Sequence, residues 1–160
     1  MSWRTRRHHI GLALTALPGL LVSPTQRRLL AEMRQFSRTL PQVMAQPLPQ
    51  AQAQLTPGVQ TSEVLETSEV YRRRHLADFA ALLDRRSPLG LCLRRSLIRY
   101  HFLRRANVPL SLYFGAKFVE GQADRKITGH AWTVLAGQPY HEAAADWQGF
   151  TVMLRWPEEP

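Results

Sequence analysis

Apolar residues recur at helical spacing in three stretches of the chain and then gather into short β-like runs bounded by turns. Ser23-Pro24-Thr25 opens the first helix, with Leu29, Leu30, Met33, Phe36 and Leu40 on one face, because positions three and four apart share a side of a 3.6-residue helix. Pro41 is expected to end it, since proline has no N–H to give to the preceding turn. Over residues 41–62 the periodicity disappears. Pro41, Pro47, Pro49, Pro57 and Gly58 mix with Gln42, Gln46, Gln50, Gln52, Gln54 and Gln60, a composition that predicts a linker or an irregular extended segment. A second helix is expected from Ser62-Glu63 to Leu83. Leu65, Val70, Leu76, Phe79, Ala80 and Leu83 form its apolar side, and Arg72-Arg73-Arg74 mark its exposed side.

Asp84-Arg85-Arg86-Ser87-Pro88 breaks that helix and leads into a third, over residues 91–106. At about 100° per residue, Cys92, Leu93, Ser96, Leu97, Tyr100 and Leu103 fall on one arc, with Cys92 at the N-terminal edge of the stripe. Arg94, Arg95, Arg99, His101 and Arg105 fall on the rest, with Leu91, Ile98 and Phe102 among them. After the turn Asn107-Val108-Pro109 the period changes. Residues 110–119, 129–135 and 150–156 read as strands, and Tyr140-His141-Glu142 as a third short extended piece between them. A polar turn covers 120–126, Ala136-Gly137-Gln138-Pro139 another, and Asp146-Trp147-Gln148-Gly149 a last one. Helices first and then a meander of strands predict an α+β chain, its N-terminal helices packed on a small antiparallel sheet.

Residues 1–22 stand apart. A basic cluster of Arg4, Arg6, Arg7, His8 and His9 precedes the apolar run from Ile10 to Val22. The outline is that of a signal peptide, but Pro18-Gly19 interrupts the run and no small-x-small cleavage site follows directly. The run is too short to span a bilayer, which needs about 20 residues. A core-packing or membrane-surface segment is the expectation. The organisation expected is a helical N-terminal arm with its Gln/Pro-rich linker over 1–60, followed by a domain over 61–160 that carries chemistry.

Charge adds one constraint. Lys and Arg number 21 against 12 Asp and Glu, a formal charge of +9, and all but Lys117 and Lys126 of those basic residues are arginine. That balance suits an acidic partner, although solvated helix faces account for arginines equally well. Cys92 is the single cysteine. An intrachain disulfide is therefore excluded, nothing in the chain requires an oxidising compartment, and a cytoplasmic setting is expected, with membrane contact by residues 1–22 the open alternative. Neither Cys/His metal spacing nor a phosphate-binding glycine loop occurs, so no metal and no nucleotide cofactor is expected.

Cys92 is also the strongest chemical signal. It begins a helix just after Ser87-Pro88 and Gly90, with Arg94 and Arg95 close behind. Thiolate is the nucleophile, and the positive end of a helix favours it. A buried cysteine acting as a small hydrophobe is the competing reading. His130 follows thirty-eight residues later at the start of a strand, and Glu142 twelve residues beyond it across a turn. Thiol, base and acid in that order suit nucleophilic catalysis: the histidine takes the thiol proton and later protonates the leaving amine, and the acid orients the imidazole.

Cys92-Leu93-Arg94-Arg95-Ser96-Leu97, Leu103-Arg104-Arg105-Ala106-Asn107-Val108-Pro109, Leu112-Tyr113-Phe114-Gly115 and His130-Ala131-Trp132 together resemble the leader peptidase of lasso-peptide biosynthesis, of the transglutaminase-like, papain-related cysteine peptidases. The resemblance covers about residues 65–155. It implies a papain/transglutaminase-like fold with its nucleophile at a helix N-terminus, and catalytic roles for Cys92 and His130. It departs at the third member. The family commonly has aspartate about twelve residues after the histidine, where this chain has Glu142; Asp146 is the competitor. The implied partners are a precursor peptide, a separate leader-recognition protein and a cyclase, with no nucleic acid. A transglutaminase-like acyltransferase would use the same triad, and a basic adaptor for a membrane or acidic partner would use none of it.

Overall fold

A computed structural model describes residues 23–58, 65–119 and 126–157. The apolar segment 1–22, the start expected for the second helix at Ser62-Glu63 and most of the polar turn at 120–126 lie outside those residues. Four helices come first: α1 (Pro24–Met44), α2 (Leu48–Leu55), α3 (Thr67–Leu83) and α4 (Leu91–Arg104). Strands β1 (Leu110–Phe118), β2 (Ile127–Leu135), β3 (Gln138–Pro139) and β4 (Thr151–Trp156) follow, with the short helix α5 (Ala144–Trp147) before the last. The expected α+β class, with a small antiparallel sheet, is what the chain forms. It divides into two compact units between Val108 and Pro109. Among the described residues no helix is long and apolar enough to cross a membrane.

In the helical unit, Ser23 caps α1 by accepting from the Gln26 N–H at 3.4 Å. The helix does not stop at Pro41 but runs one turn past it. Met33, Ser37, Leu40 and Val43 form its buried stripe. Losing the one hydrogen bond that Pro41 cannot make, near the helix end, is outweighed by keeping Val43 in that stripe. The second correction is α2, which forms inside the stretch expected to be irregular. Pro47 and Pro49 sit at its cap and first turn, where a missing N–H costs little. Ala51 and Leu55, one turn apart, are 2% and 0% exposed. Two apolar residues on a glutamine-rich helix suffice once α1 and α4 supply a surface to bury them against.

The C-terminal end of α2 is pinned to α4 by polar contacts. Thr56 Oγ1 lies 2.9 Å from the Tyr100 hydroxyl. His101 Nδ1 lies 3.1 Å from the Leu55 carbonyl oxygen, so this nitrogen carries the proton and donates. The same imidazole stacks on Phe36, with centroids 4.2 Å apart. Burial lowers the His101 pKa below its usual 6.5, and Arg105 pushes the same way, against the Leu55 carbonyl and Glu32. The unfolded chain therefore takes up this proton first as pH falls. Stability from the neutral imidazole is whole above about pH 6.5 and is lost as pH falls from there through the lower folded value. Thermal melts should show wild type losing more stability between neutral and mildly acidic pH than His101→Phe, which keeps the ring and cannot titrate.

α3 begins at Thr67, later than the expected start at Ser62-Glu63, and Glu66 gives no side-chain cap. Its basic triplet is not one solvated face. Arg72 and Arg73 pair with Glu69, but Arg74 is 7% exposed. Arg74 turns inward with Asp78, which is 2% exposed. Arg99 of α4, also 2% exposed, grips Asp78 in a two-pronged pair at 2.5 Å and 2.8 Å. Arg74 Nη1 reaches the same carboxylate at 3.3 Å. The periodicity placed Arg99 and Arg94 among polar positions of the α4 helix, whereas α4 buries both, together with Ser96, Ile98 and Phe102.

The sheet unit has strand order β3-β2-β1-β4, antiparallel throughout. β1 pairs with β2 from Leu110 opposite Leu135 to Phe118 opposite Ile127. A register shift between Phe114 and Gly115 interrupts its pairing with β4. Leu110, Leu112, Ala131, Trp132, Val134 and Trp156 are buried, and Phe114 meets Trp156 edge to face at 5.1 Å. Residues 127–128 extend the second strand beyond the expected Gly129 start, and residues 144–147 form a helical turn where an open turn was expected.

Candidate active site

Cys92 is the second residue of α4 and is half-buried. Gly90 caps the helix and offers no side-chain oxygen to its first turn. Arg94 N–H bonds back to the Gly90 carbonyl at 3.1 Å, so helix geometry gives the N–H groups of Leu91, Cys92 and Leu93 no acceptor within the helix. The thiol thus stands beside backbone donors that an oxyanion can use. The Sγ lies 3.8 Å from where a Cβ on Gly90 would stand, an ordinary van der Waals separation.

The loop in front of the thiol is held by a residue that periodicity misplaced. Arg94 is 6% exposed, and its Nη1 donates to the Leu89 carbonyl at 3.0 Å and the Ser87 carbonyl at 3.4 Å. Charge-assisted donation to two carbonyls closes the 87–90 turn onto the helix that follows it. Ser87 Oγ also accepts from the Leu89 N–H at 3.4 Å. The position of the Cys92 thiol is therefore set by a loop tied at both ends.

His130 lies on β2, opposite Gly115 of β1. Its ring stacks on Trp132 at 5.7 Å and 16°, and tilts against Phe150 at 5.4 Å. Trp132 is 2% exposed and serves as a wall for the imidazole. Gly115 makes the room for this arrangement. A Cβ there would stand 2.9 Å from two Trp132 ring atoms and 3.0 Å from the Phe150 Cβ. A glycine inside a strand pattern signals such a close approach, and this one was open to detection in the sequence; the inward turn of Arg94 was not. Gly115→Ala is expected to lower stability by about 1–3 kcal/mol through overpacking and to change the indole fluorescence of Trp132. Urea unfolding and emission spectra measure both, and unchanged values for each would exclude this packing role.

The chain returns antiparallel along β2 through a tight turn whose Ala136 and Gly137 both have positive φ, at 49° and 75°, as a two-residue hairpin requires. The extended piece expected at Tyr140–Glu142 is displaced: β3 is Gln138–Pro139, and Tyr140 N–H adds one bond to the Thr133 carbonyl at 2.8 Å. His141 then takes a φ of 52° and bends the chain. Glu142 follows, half-buried, while Asp146 is exposed in the first turn of α5. Cys92 belongs to the helical unit, and His130, Glu142 and Asp146 belong to the sheet unit. Of the other histidines in the described residues, His75 Nε2 lies 2.7 Å from Arg74, and His101 holds Leu55. Among the described residues no group of three or more His, Cys, Asp or Glu is placed to hold a metal ion.

A family model described as the transglutaminase-like superfamily matches residues 21–155. No curated protein matches the chain, and no solved structure does.

Proposed function

The chain belongs to the transglutaminase-like superfamily, whose members are generally cysteine-dependent enzymes, and from that premise we propose that it is a cysteine peptidase that removes the leader from a ribosomally made lasso-peptide precursor. The observation that carries the reading is Cys92 in the first turn of α4, with three backbone N–H groups beside it that the helix leaves without acceptors. In the proposed reaction the Cys92 sulfur attacks the scissile carbonyl as His130 takes the thiol proton. The oxyanion is held by the Cys92 N–H and a neighbouring donor of the same turn. His130 then gives its proton to the leaving amine, and a thioester remains on Cys92. Water, deprotonated by His130, attacks the thioester and restores the thiol. Glu142 keeps the imidazole in the required tautomer and orientation. The cut frees an N-terminal amine, which a partner cyclase joins to an Asp or Glu side chain, and a separate leader-recognition protein presents the substrate.

The test is mass spectrometry of a lasso-peptide precursor incubated with the chain, with and without a leader-recognition protein. Wild type is expected to cut one bond, and Cys92→Ala to leave the precursor intact. Glu142→Ala should slow cleavage by about 10²–10⁴-fold, on the scale of losing an imidazole-orienting acid, and Asp146→Ala should not. A product that carries an added amine in place of water would assign the chain to acyl transfer. Cleavage by Cys92→Ala at the wild-type rate would overturn the triad. A wild type that never turns over, yet binds partners with a steep salt dependence, would favour the adaptor.

A further inference from the structure

The helical unit carries a cleft of about 560 Å³ that the chemistry above does not use. It forms between the last turns of α1 and the segment joining α3 to α4. Arg38, Arg85 and Arg86 line it, and all three are exposed. Among the described residues none of these arginines has an acidic partner. Leu83, Pro41 and Pro88 supply an apolar wall. Asp84 also lines the cleft, and its Oδ2 accepts from the buried Ser37 hydroxyl at 2.9 Å. That bond fixes the 84–88 segment on α1. Arg94 ties Ser87, at the rim, to the start of the Cys92 helix. The cleft lining and Cys92 are therefore joined by one hydrogen-bonded stretch of chain.

We propose that this cleft binds an acidic side chain of the peptide substrate, so that the enzyme selects segments bearing Asp or Glu. The identity of the peptide as substrate rests on the peptidase reading above; the binding does not. A guanidinium offers paired donors in the plane that a carboxylate accepts, and three of them without an acidic partner among the described residues leave a local excess of positive charge. The apolar wall fits the methylenes of the bound residue and its neighbours. A nucleic acid is less well matched. Among the described residues no aromatic ring lines the cleft to stack a base, and the Asp84 carboxylate among the arginines repels a phosphate chain while it can accept from a peptide N–H.

The experiment uses the full chain carrying Cys92→Ala, which holds a peptide without turning it over. The probes are fluorescein-labelled Gly-Leu-Glu-Ala-Glu-Leu-Gly and its counterpart with Gln in place of both Glu residues, read by anisotropy. The Glu peptide is expected to bind about tenfold more tightly, as a charge-assisted pair allows. Arg85→Gln with Arg86→Gln should erase that preference, and Arg27→Gln with Arg28→Gln, which removes the same charge from exposed positions elsewhere on α1, should keep it. Circular dichroism establishes that each variant is folded. Equal binding of the two peptides would overturn the proposal, as would equal loss in the Arg27/Arg28 control. Displacement of the peptide by an oligothymidylate that binds more tightly would overturn it in favour of nucleic acid. A wild type that fails to cleave its precursor would remove the peptidase reading and leave the Glu preference of the cleft standing, so the two failures are separable.

Discussion

Cys92→Ala and His130→Ala are each expected to lower peptide turnover at least about a thousandfold, and the double variant is expected to be no slower than the worse single one. A thiol and the base that takes its proton act as one device, so removing either disables both, and their effects do not multiply. Independent roles would give losses that multiply in the double variant. Initial rates by mass spectrometry, with the peptide saturating, decide between the two. A base loss should also flatten the acidic limb of the pH–rate profile, whereas a merely structural histidine would lower the rate without changing the profile's shape. His141→Ala is the control, since this residue sits exposed on the bend beyond β3 and should leave both readouts unchanged.

Asp78→Ala is expected to destabilise the helical unit by about 3–5 kcal/mol, the cost of leaving buried charge without its counter-charge. Asp78 receives both prongs of Arg99 and one nitrogen of Arg74, and all three residues are at least nine-tenths buried. Removing the carboxylate takes their shared anionic acceptor from two guanidinium groups in the seam between α3 and α4. A domain's whole stability is about 5–15 kcal/mol, so the variant should unfold at a much lower urea concentration than wild type. Asp78→Asn keeps an oxygen acceptor without the charge and should fall between the two, which keeps the test readable. Replacing Arg74, Asp78 and Arg99 together by apolar residues of similar volume should recover most of the loss, because buried ion clusters contribute little net stability over a packed apolar equivalent. A single Asp78→Ala variant with a midpoint close to wild type would show that water reaches the cluster.

The helix start at Leu91 was legible in the sequence because Pro88 and Gly90 act locally, within a turn of the residue they punctuate. The long strands of the sheet unit were legible for the same reason: β-rich runs between polar turns need only near neighbours to declare themselves. The α2 helix was not, because Gln/Pro composition describes an isolated chain, and the burial of Ala51 and Leu55 depends on α1 and α4. The inward arginines were not either. A helical wheel assigns charge to water by default, and it has no term for a carboxylate twenty-one residues away, which is the separation of Asp78 and Arg99.

By itself, then, the sequence determined the α+β class, the placement of Cys92 in the first turn of a helix, and His130 on a strand, since each follows from interactions within a few residues of chain. Only the tertiary structure decided which arginines are buried and which are free to meet a ligand. It made Arg94 a clamp on the loop before the thiol, Arg74 and Arg99 a buried pair around Asp78, and Arg38, Arg85 and Arg86 the lining of a cleft. The physical reason is that burying a charge depends on whether a partner is within reach, and reach is a property of the folded chain.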